Sequence, residues 1–239
     1  MLLSWDNTVE WCSFVSNVRK NVLQQIGCNR ITCELLTEEV EKALPGHYES
    51  FIAYHGCRPV NVDEYYEKGL LRHSDFTLAE CRALAMELSG TPSDAVDAAI
   101  LSINCRLDFQ RTYVVLDGRG LVEKSPHYMI YGSEFTMSIL AQLSRMGFPN
   151  CQYKLKARGT PTLFTCHVPF KLLKKFILRE IAETLVRNAM AWRYHGSRNP
   201  PVLDHTVVLH VDLPPSCIVS HTHPNDLVDW HDGGSRYHW

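Results

Sequence analysis

Short apolar runs separated by segments of helical period constrain this chain more than any other feature. SFIAYHG (50–56), TPTLFTCHVP (160–169) and HTVVLHVDLPPSCIVSHTHP (205–224) carry aromatic and β-branched residues between Gly, Pro and polar stops, as strands do. HYMIYG (127–132) reads as a further strand. RTYVVLDGRGLVEK (111–124) predicts a hairpin, because Asp117-Gly118 sits between apolar runs. The helical segments are equally plain. Trp11, Phe14, Val15, Val18, Val22 and Ile26 fall on one stripe that Gly27 ends. TEEVEKALPG is a short helix closed by Pro45 and Gly46, and VNVDEYYEKGL is a helix ending at Gly69. TLAECRALAMEL opens on a capping box of Thr77 with Glu80, and TPSDAVDAAILSI pairs with it. SEFTMSILAQLSRMG has Ser133 at its N-cap, and LLKKFILREIAETLVRNAMAW is long and amphipathic. Strands joined by short turns lack the βαβ rhythm of a doubly wound sheet, so the class is α+β. Residues 1–47 form a helical N-terminal extension, residues 48–239 hold the strands, and the tail DWHDGGSRYHW is expected to be loose.

A chain of 239 residues can bury a sizeable core. Its net charge of −2 removes any global electrostatic case for nucleic acid or an anionic membrane. Two local basic groups stand out, Lys154, Lys156 and Arg158, and then Lys171, Lys174, Lys175 and Arg179; a solvated face explains each by itself. The nine cysteines are scattered with no CxxC pair, which suits a reduced, intracellular chain. MLLSWDNTVEW has no basic region and meets Asp6 at once, so no signal peptide is expected. No apolar run approaches the roughly 20 residues a bilayer requires. The expectation is a cytoplasmic protein that is not in a membrane. His221 and His223 could share a strand face, but no His or Cys set has zinc-motif spacing, and no metal is expected.

One stretch resists a purely structural account. In YHGCRPVNVDEYYEKGL (54–70) a strand ends in His-Gly and a polar helix follows at once. The Gly lets a ligand or backbone come close, and His55 places a donor or acceptor beside that approach. Tyr54-His55-Gly56-Cys57-Arg58-Pro59, then Val62-Asp63, then Lys68-Gly69-Leu70, resembles the first NAD-binding segment of the ADP-ribosyltransferase superfamily, in its diphtheria-toxin and poly-ADP-ribose-polymerase branch. HYMIYGSEFTMSILAQL is similar to the second segment, with Tyr131 where that family packs a Tyr on nicotinamide.

The resemblance implies a split β-sheet core with an NAD cleft and, as function, mono-ADP-ribosyl transfer from NAD to an intracellular protein or nucleic acid. It further implies a toxin of a toxin–antitoxin or anti-phage system, with an antitoxin as a further partner. NAD glycohydrolase, an inactive binding module and RNA 2′-phosphotransferase are the alternatives. By the same resemblance His55 bonds a ribose hydroxyl and Gly56 holds the carboxamide. Cys57 lies beside them, Arg58 meets phosphate or adenosine, and Tyr131 lines the nicotinamide slot with Tyr54, Tyr65, Tyr66 or Phe135 opposite. Ser133 and Glu134 open the following helix. The family's third segment begins with a catalytic Glu, but DLPPSCIVSHTHP has none. Glu134 is the expected carboxylate for the ribose, with His221 and Asp226 as the other residues that could serve.

Overall fold

The computed structural model describes residues 1–103, 110–195 and 205–239. In chain order the elements are β1 (Leu2–Leu3), α1 (Thr8–Ile26), α2 (Cys33–His47), β2 (Ser50–Cys57), α3 (Asp63–Lys68), α4 (Asp75–Ser89), α5 (Ser93–Ser102) and β3 (Thr112–Val115). They continue with α6 (Gly118–Glu123), α7 (His127–Ile130), α8 (Glu134–Arg145), β4 (Thr162–Pro169), α9 (Lys175–His195), β5 (Thr206–Leu209), β6 (Ile218–Thr222), β7 (Leu227–Asp229) and β8 (Ser235–Tyr237). The class is α+β with a mainly antiparallel sheet. The main sheet runs β5-β3-β2-β4-β6, and β1 adds parallel to the first residues of β2; β7 and β8 form a separate ribbon. The resemblance implies a split sheet, whereas β1 to β6 lie in one continuous sheet.

Strand alternation sends successive side chains of this sheet into two cores. Phe51, Ala53, Phe164, Cys166 and Val168 join the first, under α1, α2 and α9. Tyr54, Val115 and Leu163 face the second, built from α4 to α8. Fully burying each large apolar side chain contributes about 1.5–3 kcal/mol. Residues 1–47 share the first core through Leu3, Trp11, Phe14, Leu36, Val40 and Leu44.

Local chemistry explains where the elements differ from expectation. Asp117-Gly118 does not turn a hairpin. The Asp117 carboxylate accepts from the Arg119 amide at 3.0 Å and caps α6, while β3 pairs with β2 and β5. HYMIYG is not a strand either. Pro126, at φ −66°, presets the helical turn of α7, and Tyr131 follows it. α4 starts a turn early on a Ser74–Thr77 capping box, and α2 runs past Pro45 to His47. The tail is ordered as the β7–β8 ribbon. Gly27 and Gly69 end their helices as read. Gly69 has φ +82°, and a Cβ there would lie 2.0 Å from the Leu213 carbonyl oxygen. That close approach allows the paired bonds between Leu70 and Leu213, each 3.0 Å, which tie the end of α3 to the segment before β6.

Candidate functional site

His55 lies directly across from Phe164 of β4, and Phe164 lies across from His221 of β6. Paired residues of an antiparallel sheet point to the same face, so the three rings form a row across it. The Phe164 and His221 centroids are 5.8 Å apart. α3 covers the row. Tyr65 stacks on Phe164 at 4.6 Å, and the Tyr66 hydroxyl is 2.7 Å from His221 Nδ1. Beyond it His223 lies 4.8 Å from His221, and Trp239 meets His223 edge-on at 5.6 Å. Phe164 is buried, Tyr66 and His221 are half-buried, and His223 is exposed. The row therefore opens to solvent at the β6 edge.

The tautomer of His55 follows from its partner. Nδ1 is 2.8 Å from the Tyr113 carbonyl, which can only accept, so Nδ1 carries the proton. The neutral ring then presents a lone pair at Nε2, which has no hydrogen-bond partner among the described residues. Burial pushes the His55 pKa down; the Tyr113 carbonyl opposes this, and the charge of His73 adds to it. Cys57 lies on the same face of β2 as His55 and packs against the first core. Burial pushes its thiol up to about 12 against a hydrogen bond from Tyr65.

Tyr131 belongs to the other face. Gly56 points that way, and a Cβ on it would touch Leu121 and Met129 at 3.4 Å, so its backbone lies against packed side chains. Tyr131, a member of the second core, donates to Asp229 Oδ2 at 2.7 Å, and Lys156 Nζ is 2.7 Å from the same oxygen. Lys156 also lies 5.3 Å from the Tyr131 ring centroid and 3.2 Å from Asp232. Burial, then Asp229, pushes the Tyr131 hydroxyl up to about 12. Burial pulls the Lys156 ammonium down, but its bonds to Asp229 and Asp232 outweigh that and hold it raised. Here every charge has a partner.

The expected site residues thus divide between two faces. His55 and Tyr66 share the ring row with Phe164 and His221; Tyr131 does not meet them. Arg58 spends three of its five N–H groups on carbonyls, at Arg158 (2.7 Å), Met129 (3.1 Å) and Lys156 (2.5 Å), and stacks over Tyr237. That geometry makes it a clamp between the end of β2 and the segment before β4, with its charge committed there. Ser133 caps α8 by accepting from the Thr136 amide at 3.4 Å. Phe135 packs at the margin of the second core. Glu134 is exposed and accepts from the Tyr128 hydroxyl at 2.8 Å, on the Tyr131 side of the sheet. It does not meet His55. Asp226 pairs with Arg236 at 2.7 Å in the ribbon. Asp229 was missed in the sequence, although the period of DLVDW places it on one strand face with Leu227. Among the described residues no group of three His, Cys, Asp or Glu is arranged to hold a metal, and no helix is long and apolar enough to cross a membrane. No family model matches the chain, and neither a curated protein nor a solved structure matches it.

Proposed function

We propose that this chain cleaves the nicotinamide–ribose bond of NAD and transfers ADP-ribose to an intracellular macromolecule, working from the His55 face of the sheet. The observation that carries the reading is the His55–Phe164–His221 row under Tyr65 and Tyr66, at the end of a strand whose sequence resembles the NAD-binding segment of ADP-ribosyltransferases. Nicotinamide leaves as its bond to the ribose breaks, and the ribose passes through an oxocarbenium-like state. Rings suit that cationic ligand. The His55 Nε2 lone pair accepts from a ribose hydroxyl and orients the sugar. The late strand lacks the family's Glu, and His221 takes its place in this reading. With Nδ1–H donated to the Tyr66 oxygen, His221 Nε2 accepts the proton of the attacking hydroxyl. The role of a toxin, checked in the cell by an antitoxin protein, belongs to the same reading and rests on the resemblance alone.

A second reading is an NAD-binding module without transfer activity. It is favoured by the division of His55 from Tyr131 and Glu134, and by the lack, among the described residues, of a carboxylate bonded to the ring row. Incubation of purified protein with nicotinamide-labelled NAD separates the readings. Nicotinamide release that requires lysate, with ADP-ribose retained on a macromolecule, is the expected result. Release without an acceptor means hydrolysis. Binding without release means the module, and neither binding nor release removes NAD from the account.

A further inference from the structure

The second basic group of the sequence meets other cations on the folded surface. Lys174 precedes α9 and Lys175 starts it, where the first turn has no acid, although cations there oppose the helix dipole. Phe176 follows them, 51% exposed, and meets the His210 ring edge-on at 5.9 Å. Arg72 donates to the His210 carbonyl at 3.0 Å. Lys174, Arg111 and Arg72 all act on His210; burial first, then these cations, hold its pKa below the ordinary value. Arg72 is paired with Asp212 at 3.0 Å, whereas Arg111, Lys174 and Lys175 have no ion pair among the described residues. On one side Phe176 and Lys175 line a hollow with Glu38 and Glu41, so the cations that no carboxylate among the described residues faces lie on the His210 side of the ring, where Arg111 precedes the Thr112–Leu209 pair of β3 and β5. This side also adjoins the His55 face. The His73 amide donates to the Arg111 carbonyl at 3.0 Å, and His73 acts electrostatically on His55.

We propose that this surface binds single-stranded nucleic acid, with backbone phosphates against Arg111 and Lys174 and a base stacked on the His210 side of Phe176. Unpaired cations satisfy phosphates of any sequence, and an exposed ring requires an unstacked base, which a duplex does not offer. The inference deepens the transferase reading by naming the acceptor class and rests on that reading only for the chemistry. Binding is measured without NAD.

The test is fluorescence anisotropy of the full chain with labelled oligo-dT and oligo-U of about 12 nucleotides and a duplex of equal length. Single strands are expected to bind more tightly than the duplex. Lys174→Glu should weaken binding about tenfold and lower the slope of log affinity against log salt by about 0.7. Phe176→Ala should weaken it about tenfold through lost stacking. Arg145→Glu, at the exposed last residue of α8, makes the same change in net charge and should leave affinity within twofold, with thermal melts confirming that each variant is folded. No binding by the natural chain, duplex bound as tightly as single strand, or equal losses for Lys174→Glu and Arg145→Glu would overturn the proposal. A chain that binds oligonucleotide and leaves NAD intact keeps this surface and ends the transferase reading; one that cleaves NAD and ignores oligonucleotide does the reverse.

Discussion

The two faces of the central sheet solve opposite problems with similar residue types. On one, His55, Tyr66 and His221 lie along a row of rings, and His55 keeps a nitrogen lone pair unused. On the other, Tyr131, Lys156 and Asp229 meet in a triad in which each polar group satisfies the next. An unsatisfied group that faces a half-open row is available to a ligand. A buried, fully paired triad is available to nothing, and its strength goes into holding the β7–β8 ribbon against the body. Aromatic and ionisable residues in a sequence are therefore poor guides to a site until their partners are known.

That contrast can be broken most directly by activity. On the proposed reading, His55→Ala should lower NAD turnover by about 10² to 10³, the usual loss for one preorganised polar group, and cost only about 1 kcal/mol in stability, the Tyr113 bond. Glu134→Gln, on the opposite face, should leave turnover within about twofold. Equal losses from the two, read as initial rates of nicotinamide release, would mean that both faces serve one site. Gly69→Ala tests the row through its cover. Positive φ and the Leu213 carbonyl together should cost at least about 3 kcal/mol in chemical denaturation and displace α3. A loss below about 1 kcal/mol would show that α3 is not held as described.

Asp229→Asn addresses the other face. It leaves the Lys156 ammonium, whose side chain is 22% exposed, without its buried partner, and should cost about 2–3 kcal/mol. Pairing it with Lys156→Met should recover most of that loss, because the triad's value is mutual satisfaction. Additive losses in the double variant would mean that the two residues act separately.

Much of the fold was legible because period and caps agree with tertiary context. α1, α8, β2 and β4 lie where apolar spacing places them, and Gly27, Gly69 and Ser133 end or start helices as their chemistry predicts. The misreadings share one cause, a motif with two local solutions. Asp-Gly suits both a type I′ turn and a helix N-cap, and the apolar period of GLVEK decides for the cap. HYMIY is aromatic enough for a strand, and Pro126 decides for a helical turn. The site was legible only in part for a different reason. Alternation along β2 fixes that His55 and Gly56 face opposite ways, but which face receives Tyr131 depends on how α7 and the distant ribbon pack. No spacing within 127–134 carries that information.

The smallest expected effect is a pH dependence that isolates His55. Burial holds its imidazole below the ordinary value, so the folded chain keeps the ring neutral where the unfolded chain, near pKa 6.5, begins to protonate. As pH falls the unfolded state therefore binds more protons. The contribution is fully present above about pH 6.5 and is lost as pH drops toward the folded value, at no more than about 1.4 kcal/mol per pH unit for one group. Burial shifts His127 and His205 in the same direction, so the loss of stability in the natural chain alone does not single out His55. His55→Gln does. Its amide can still donate to the Tyr113 carbonyl but does not titrate. Denaturation midpoints of the two proteins should run parallel above about pH 6.5, and the natural chain should fall more steeply below it. On the proposed reading, NAD turnover of the natural chain should hold through that interval and fall only as pH passes the lower, folded value, where protonation removes the Nε2 lone pair. Parallel stability curves throughout would mean that His55 is solvated equally in both states, and the argument for a poised, neutral imidazole in the ring row would fail with them.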